Sequence, residues 1–273
     1  MPATNGRLVR AAFPGYSSPM CAEDAPRDQP VAPHPPLEPY YGSADQRRAW
    51  VDRMFDTTAR HYDWINRVMS FGSGTWYRRE ALKRAGVGAG AVVLDVCIGS
   101  GQVARPALEL VGGNGRVVGL DASMGMLVEA RQAVTAPLLQ GYVEKLPVAS
   151  ASVDFVTMGY ALRHVADLGA AFSEYLRVLR PGGTVLILEL TRPRRRTMYA
   201  MVRFYLQRVV PAIARLGGRD ARTLMRYFWD TIDTCVPPER ILDALRSSGF
   251  QSPERGTLFD LFSEYRASKP IDA

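Results

Sequence analysis

Apolar positions follow two regimes along the chain. Between 44 and 85 they recur at helical spacing: Trp50, Val51, Met54 and Phe55 share one face, and Trp64, Ile65, Val68 and Met69 another. Gly72 and Gly74 break this pattern, and a third helix is predicted from about Trp76 to just before Gly86. From Val92 onward, short β-branched runs alternate with helical stretches. Strands are predicted at 92–96, 116–121, 138–142 (weakly), 153–157 and 184–190, with helices over 102–111, 123–134 and 167–179 between them. Such alternation makes βαβ units, a mainly parallel sheet and helices on both of its faces. Beyond the fifth strand, Met198, Met201, Val202, Tyr205 and Val209 form a helical stripe that Pro211 interrupts and Gly217-Gly218 ends. A helix over 239–248, opened by Pro237-Pro238, and two strands within 256–268 finish the pattern.

Composition changes this picture at the two ends of the argument. Residues 1–40 hold nine prolines and no periodicity, so a disordered or extended leader is expected there. One domain then fills 41–273, with a helical cap at 41–85 and a helical lid at 191–235. Its length supports a core without covalent staples. Cys21, Cys97 and Cys235 lie far apart with no CxxC pair, and His34 and His61 have no partner at ligand spacing, so no metal is expected. Unpatterned cysteines, with no signal-peptide pattern, suit a reducing, cytoplasmic setting. No run of about 18 apolar residues is present to span a membrane. The net charge of +7 is concentrated: Arg192 to Arg226 holds ten arginines and one acid, Asp220. That describes one basic surface element rather than a nucleic-acid binder.

The densest chemistry lies in Leu94-Asp-Val-Cys-Ile-Gly99-Ser-Gly101-Gln-Val-Ala104, where a first strand turns into a helix. Glycines there let the backbone turn tightly and a ligand approach it, and the helix start offers free N–H groups. Asp121 closes the second strand twenty residues after Gly101, placed to accept both ribose hydroxyls of a nucleoside. Gly99-x-Gly101-x-x-Ala104 also fits a dinucleotide fingerprint, which alone is weak. Asp95 just ahead of the glycines would repel a pyrophosphate and attract a cationic amino-acid end. Pro181-Gly-Gly183 before the fifth strand points the same way.

These residues, with others in the same order, resemble the ubiquinone/menaquinone C-methyltransferase family, a class I S-adenosylmethionine (SAM) group. The shared blocks are Met54-Phe-Asp56, Tyr62-Asp63-x-x-Asn66-x-x-x-Ser70-x-Gly72, Leu94 to Gly101, and Gly119-Leu-Asp121-x-Ser123-x-x-Met126-Leu127. They continue with Glu144-x-Leu146-Pro147, Tyr160-Ala-Leu162-Arg163-His164-Val165 and Arg177-Val-Leu-Arg-Pro181-Gly-Gly183. The resemblance implies a Rossmann-like class I methyltransferase fold with a seven-stranded, mostly parallel sheet. It implies SAM contacts at Asp95, Gly99, Ser100, Gly101, Asp121, Ala122, Tyr142, Val143 and Gly159. Tyr142-Val143 replaces the family's Asn or Asp followed by Ala, which leaves a backbone contact to the adenine.

Methyl transfer to a quinol carbon asks the protein to align the reactants and to handle a phenol proton. The resemblance places Arg163 and His164 beside the acceptor, with His164 where the family has Asn. An imidazole can take that proton directly. For Arg163 the competing reading is a structural salt bridge, and for His164 a helix-capping surface residue. Tyr62 is expected to touch the methionine end of SAM or shape the methyl channel. Glu189 stays open as a helix-end or site carboxylate. Three functions stay open: C-methylation of a quinol or phenol, prenylated or not; methylation of a soluble aromatic or natural product at C, O or N; and a non-catalytic SAM-binding subunit. The stripe at 191–226 can lie on a membrane surface, cover a soluble substrate or be a solvated basic face, and a homodimer stays open.

Overall fold

The computed structural model describes residues 32–69, 74–210, 212 and 218–272; within these, nothing is described of the side chains of 44–45, 60–69 and 218–222. The sheet runs β1 (Val92–Val96), β2 (Arg116–Asp121), β3 (Leu138–Gln140), β4 (Val153–Gly159), β5 (Leu179–Leu190), β6 (Gln251–Leu258) and β7 (Phe262–Ser268). Its spatial order is β3-β2-β1-β4-β5-β7-β6. The first five strands are parallel, and β7 is antiparallel to both β5 and β6. The chain leaves β1 for β2 on one side and returns to β4 on the other. A crevice therefore opens at the carboxyl ends of β1 and β4, where ligands of such sheets bind.

Alternation along the strands divides the core into two layers. Leu94, Val96, Val185 and Ile187 face one side, with Phe172 and Tyr175 of α6 (Leu168–Val178) and Ile241 and Leu245 of the late helix Pro238–Ser247. Val93, Leu186 and Leu188 face the other, against α3 (Gly74–Arg84), α4 (Ala104–Val111) and α5 (Met124–Ala133). Local chemistry sets the helix starts. Ser123 Oγ accepts from Met126 N at 3.1 Å, and Asp167 Oδ1 from Gly169 N at 2.9 Å. Pro238 opens its helix where the missing N–H costs nothing.

A third core sits over the carboxyl edge of the sheet. It joins α1 (Glu38–Tyr41) and α2 (Ala44–Met69) to α7 (Arg196–Phe204), the π-helical turn Tyr205–Val209 and α8 (Gly218–Thr234); the late helix is α9. Val51 and Met54 pack with Val202, Leu206, Tyr227, Phe228 and Trp229. Within the expected cap at 41–85, α1 and α2 thus share one core with the 191–235 segment, whereas Tyr77, Ala81 and Leu82 of α3 belong to the core under the sheet.

Several boundaries differ from the pattern. Strand β5 starts at Leu179, because Pro181-Gly-Gly183 is a kink inside the strand, with its register shift between Val153 and Phe155. Only glycine fits at 183, where a Cβ would lie 2.9 Å from the carbonyls of Arg180 and Asp154. Strand β6 starts at Gln251, since antiparallel pairing with β7 draws polar residues into the sheet. The leader was expected to reach residue 40. Residues 33–41 instead dock on the domain: the Pro33 carbonyl accepts from Val236 N at 2.7 Å, and His34 and Tyr41 are buried. Pro211 and Gly217 lie outside the described residues.

Candidate active site

A cavity of about 640 Å³ opens at the carboxyl ends of β1, β2 and β4 and is roofed by α2. That volume suits a nucleoside-sized ligand together with a small acceptor.

One end is built from strand-edge loops. Cys97, Gly99 and Gly101 all have positive φ (+51°, +55°, +83°), which winds the loop after β1 into a tight cup. Asp121 closes it: Oδ2 accepts from Gly99 N at 2.8 Å and Oδ1 from Ser123 N at 2.9 Å. The Ala122 backbone N–H also hydrogen-bonds this carboxylate, so of its about four acceptor positions about one remains for a ribose hydroxyl. Burial pushes the Asp121 carboxyl up to about 6, opposed by those backbone N–H groups. Asp95 lies deeper, 1% exposed. Its Oδ1 accepts from Thr157 Oγ1 at 2.7 Å, while Oδ2 is buried without a partner. Burial pushes the Asp95 carboxyl up to about 7, opposed by the Thr157 hydrogen bond and the Ala104 backbone N–H. An orphaned carboxylate oxygen on a cavity wall is costly unless a donor arrives. The ammonium of SAM is such a donor, so these residues fit the cofactor.

Ser100, Ala122, Val143 and Gly159 also line the cavity. At Gly159 a Cβ would lie 2.6 Å from Val103 Cγ2, so glycine lets β4 pass close to the start of α4. Tyr142 lines the wall, but its hydroxyl donates to Asp52 Oδ2 of α2 at 2.8 Å and Arg48 stacks 4.5 Å from its ring centroid. Its side chain ties the roof to the loop after β3. Gly101 is off the wall. It makes the turn instead, donating N–H to the Ile98 carbonyl at 3.0 Å, and a Cβ there would press on Val134.

The other end is built by side chains from distant segments. His164, on a 3₁₀ turn after β4, meets Phe55 edge-on at 5.1 Å and stacks on Tyr227 at 5.4 Å. Its Nδ1 is 3.2 Å from the Tyr227 hydroxyl, and its Nε2 is buried without a partner. Burial, then the Arg163 charge, hold His164 well below the usual histidine range. It is therefore neutral at neutral pH. Tyr160, Arg47 and His34 complete this end of the cavity. Tyr160 takes φ +61° and sits 4.9 Å from the Arg78 guanidinium, a strained backbone at the sheet edge.

Arg163 is a correction. Its side chain is fully buried and off the cavity wall, ion-paired to the equally buried Glu189. It also donates to the Tyr160 carbonyl at 2.8 Å and lies 4.1 Å from the Phe228 ring. Glu189 Oε2 accepts from Arg163 N at 3.2 Å. The pair pins the turn that presents His164, and it settles Glu189 as that turn's anchor. The Tyr62 side chain lies outside the described residues.

Phe55, Tyr160, Arg47, His34 and Tyr227 were absent from the sequence-predicted site. Phe55 and Tyr160 lie inside family-like blocks, so their signal was present. His34 and Tyr227 carry none, being 130 and 63 residues from His164. Asp56 belongs with the first group. Its Oδ1 accepts from Ser123 Oγ at 2.5 Å and Gly125 N at 2.9 Å, fastening α2 to α5.

A sequence profile described as the ubiE/COQ5 methyltransferase family matches residues 42–258. The ubiquinone/menaquinone biosynthesis C-methyltransferase UbiE of Geobacter sulfurreducens is 32% identical over 226 residues, 80% of this chain and 88% of that protein. The demethylmenaquinone methyltransferase of Mycobacterium sp. strain JLS is 38% identical over 165 residues, 60% of this chain and 70% of that protein. Among solved structures, Haemonchus contortus phosphoethanolamine N-methyltransferase 2 in complex with S-adenosyl-L-methionine superposes with a TM-score of 0.58. It has 20% identity and covers 82% of this chain and 60% of that one, a likeness of fold.

Proposed function

We propose a function from one established premise: the chain belongs to the ubiE/COQ5 methyltransferase family and is a SAM-dependent methyltransferase. Its acceptor, in this proposal, is the ring carbon of an aromatic quinol. The observation that carries it is His164, a neutral imidazole that lines the cavity among aromatic rings and whose buried Nε2 has no partner within the protein.

SAM, when bound, supplies an electrophilic methyl group on a sulfonium. The chain does the rest. The Asp95 Oδ2 oxygen would hold the ammonium and Asp121 the ribose, while the Cys97–Gly101 cup fixes the nucleoside. At the far end Phe55 and Tyr160 flank a planar ring. His164 Nε2 accepts the quinol hydroxyl proton, which raises electron density on the neighbouring ring carbon; once that carbon carries the methyl, its own hydrogen leaves as a proton and the ring hydroxyl is restored.

A quinol hydroxyl near the usual phenol range of about 10 and a depressed imidazole are mismatched, at about 1.4 kcal/mol per unit. The same positive field narrows the gap. Arg47 and Arg163, which depress His164, also favour a phenolate beside it. Proton removal therefore accompanies methyl transfer rather than preceding it.

The names of the relatives above support a quinone-type acceptor. A prenyl tail would bring the protein to a lipid surface. Met201 and Phe204 of α7 are 60% and 64% exposed, and Arg195, Arg196, Arg203 and Arg208 lie in or beside the same element. This combination suits the face of an anionic bilayer. Among the described residues, no helix is long and apolar enough to cross a membrane.

Labelled SAM and reduced 1,4-naphthoquinol test the reading. Label on the ring carbon beside the hydroxyl supports it; label on oxygen, or none, counts against it. Sedimentation with anionic vesicles tests the lipid contact. Binding should be lost in Met201→Asp/Phe204→Asp, and unaltered binding in that variant would remove this face from the account.

A further inference from the structure

The family match begins at residue 42, yet the cavity wall begins earlier, with Ala32, His34 and Pro36. This short strap is fastened twice. The Pro33 carbonyl accepts from Val236 N, just beyond α8, at 2.7 Å. His34, 2% exposed, lies 2.7 Å by Nδ1 from the Pro35 carbonyl and 3.1 Å by Nε2 from Arg47 Nη2. A carbonyl only accepts and a guanidinium only donates. The proton therefore sits on Nδ1, and Nε2 accepts from Arg47. Burial, then the Arg47 charge, push His34 down to about 4, consistent with this neutral tautomer. Arg47 also donates to the carbonyl of Arg163 at 2.9 Å, one residue before His164. The strap is thus linked to the acceptor end. None of its described hydrogen bonds reaches the Asp95–Gly101 loop or Asp121.

We propose that residues 32–36 determine acceptor specificity. They close the acceptor end of the cavity around the substrate ring, and His34 is the positioning residue that holds Arg47 in that wall. The inference rests on the reading of the His164 end as a quinol site. It places a specificity element in a segment that the family profile does not cover. Relatives with a different sequence ahead of the profile would then close the same end differently and prefer other ring systems.

The test uses the full chain, with 1,4-naphthoquinone binding followed by tryptophan fluorescence, naphthoquinol turnover and SAM binding by calorimetry. His34→Ala should raise the naphthoquinone Kd and the naphthoquinol KM about tenfold, with kcat within about threefold and SAM Kd within about twofold. His34→Gln offers an amide oxygen to Arg47 and should recover KM to within about threefold of wild type. Ala32→Trp, which fills the wall at a residue that takes no part in the His34–Arg47 hydrogen bonds, should also raise KM about tenfold. The inference is overturned if His34→Ala and Ala32→Trp leave quinone Kd and KM unchanged. It is equally overturned if His34→Ala weakens SAM as much as quinone, because the strap would then merely hold the domain together. Wild-type protein that binds SAM but neither binds naphthoquinone nor methylates the quinol would sink the acceptor reading and the strap with it. Wild-type turnover with indifferent variants would sink the strap alone.

Discussion

The two ends of the cavity are built in opposite ways. The donor end comes from three consecutive strand-to-loop turns. Its key contacts, Asp121 to Gly99 and Asp95 to Thr157, join neighbouring strands of one parallel sheet. The acceptor end is gathered from His34, Arg47, Phe55, His164 and Tyr227, which tertiary packing of the strap, α2 and α8 brings together. Backbone geometry holds the first; side-chain packing holds the second. A protein built this way can keep its methyl donor while its acceptor site is rebuilt by substitutions in helices outside the sheet.

That contrast breaks if damage at one end spreads to the other. The largest expected effect is at His164. His164→Ala should lower kcat by about 10²–10⁴-fold, the usual span for a lost general base, with SAM affinity unchanged in calorimetry. Loss of SAM binding in that variant would mean that the ends are not separable.

Next is the buried Arg163–Glu189 pair, both partners fully buried. Arg163→Ala leaves Glu189 as an unpaired buried charge and should cost about 3–5 kcal/mol of stability. At about 2–4 °C per kcal/mol for a domain of this size, melting should fall by about 10 °C. A melting point near that of wild type would remove the pair as the anchor of the His164 turn.

At the donor end, Asp95→Asn should weaken SAM binding by about 10–100-fold, the worth of one charge-assisted hydrogen bond, while naphthoquinone binding is unchanged. The same carboxyl sets a pH dependence. Its folded value, about 7, lies above the ordinary 3.8. Between those values the folded protein holds a proton that the unfolded chain has lost, so ligand-free stability falls as pH rises through this window. SAM selects the ionised form. Its affinity should therefore rise from about pH 6 to about 8 with release of one proton, and Asp95→Asn should flatten that slope. Calorimetry in buffers of different ionisation enthalpy measures the proton directly.

The smallest expected effect is at Tyr227. Tyr227→Phe removes the hydroxyl beside His164 Nδ1 but keeps the stacked ring. It should lower kcat by about 3–10-fold and shift the acid limb of the pH–rate profile, as a residue that orients the base should. A lowered melting point with unchanged kinetics would make Tyr227 a packing residue only.

The same contrast decides what could be read in the sequence. Strand periodicity, the Gly99–Gly101 turn and the Asp95 and Asp121 carboxylates are local features, and the sheet and donor end follow from them. Within that turn Gly99 lines the cavity while Gly101 makes the turn itself, a division that the spacing of the glycines does not show. Arg163 was read as a substrate contact because its position beside the site is visible in the sequence. Its burial against Glu189, 26 residues away on β5, is not. The start of β5 at Leu179 was hidden by Pro181-Gly-Gly183, which reads as a turn but forms a kink within a paired strand. His34 and Tyr227 had no local signature at all. Their places depend on how the third core packs α1, α2 and α8 over the sheet edge.

The most direct test of the account is single-turnover methyl transfer from labelled SAM to reduced 1,4-naphthoquinol, comparing wild type with His164→Ala, both saturated with SAM. The account predicts label on the ring carbon beside the hydroxyl, formed at least about a hundredfold more slowly in the variant. Transfer at the wild-type rate by His164→Ala, or label on oxygen, would contradict it.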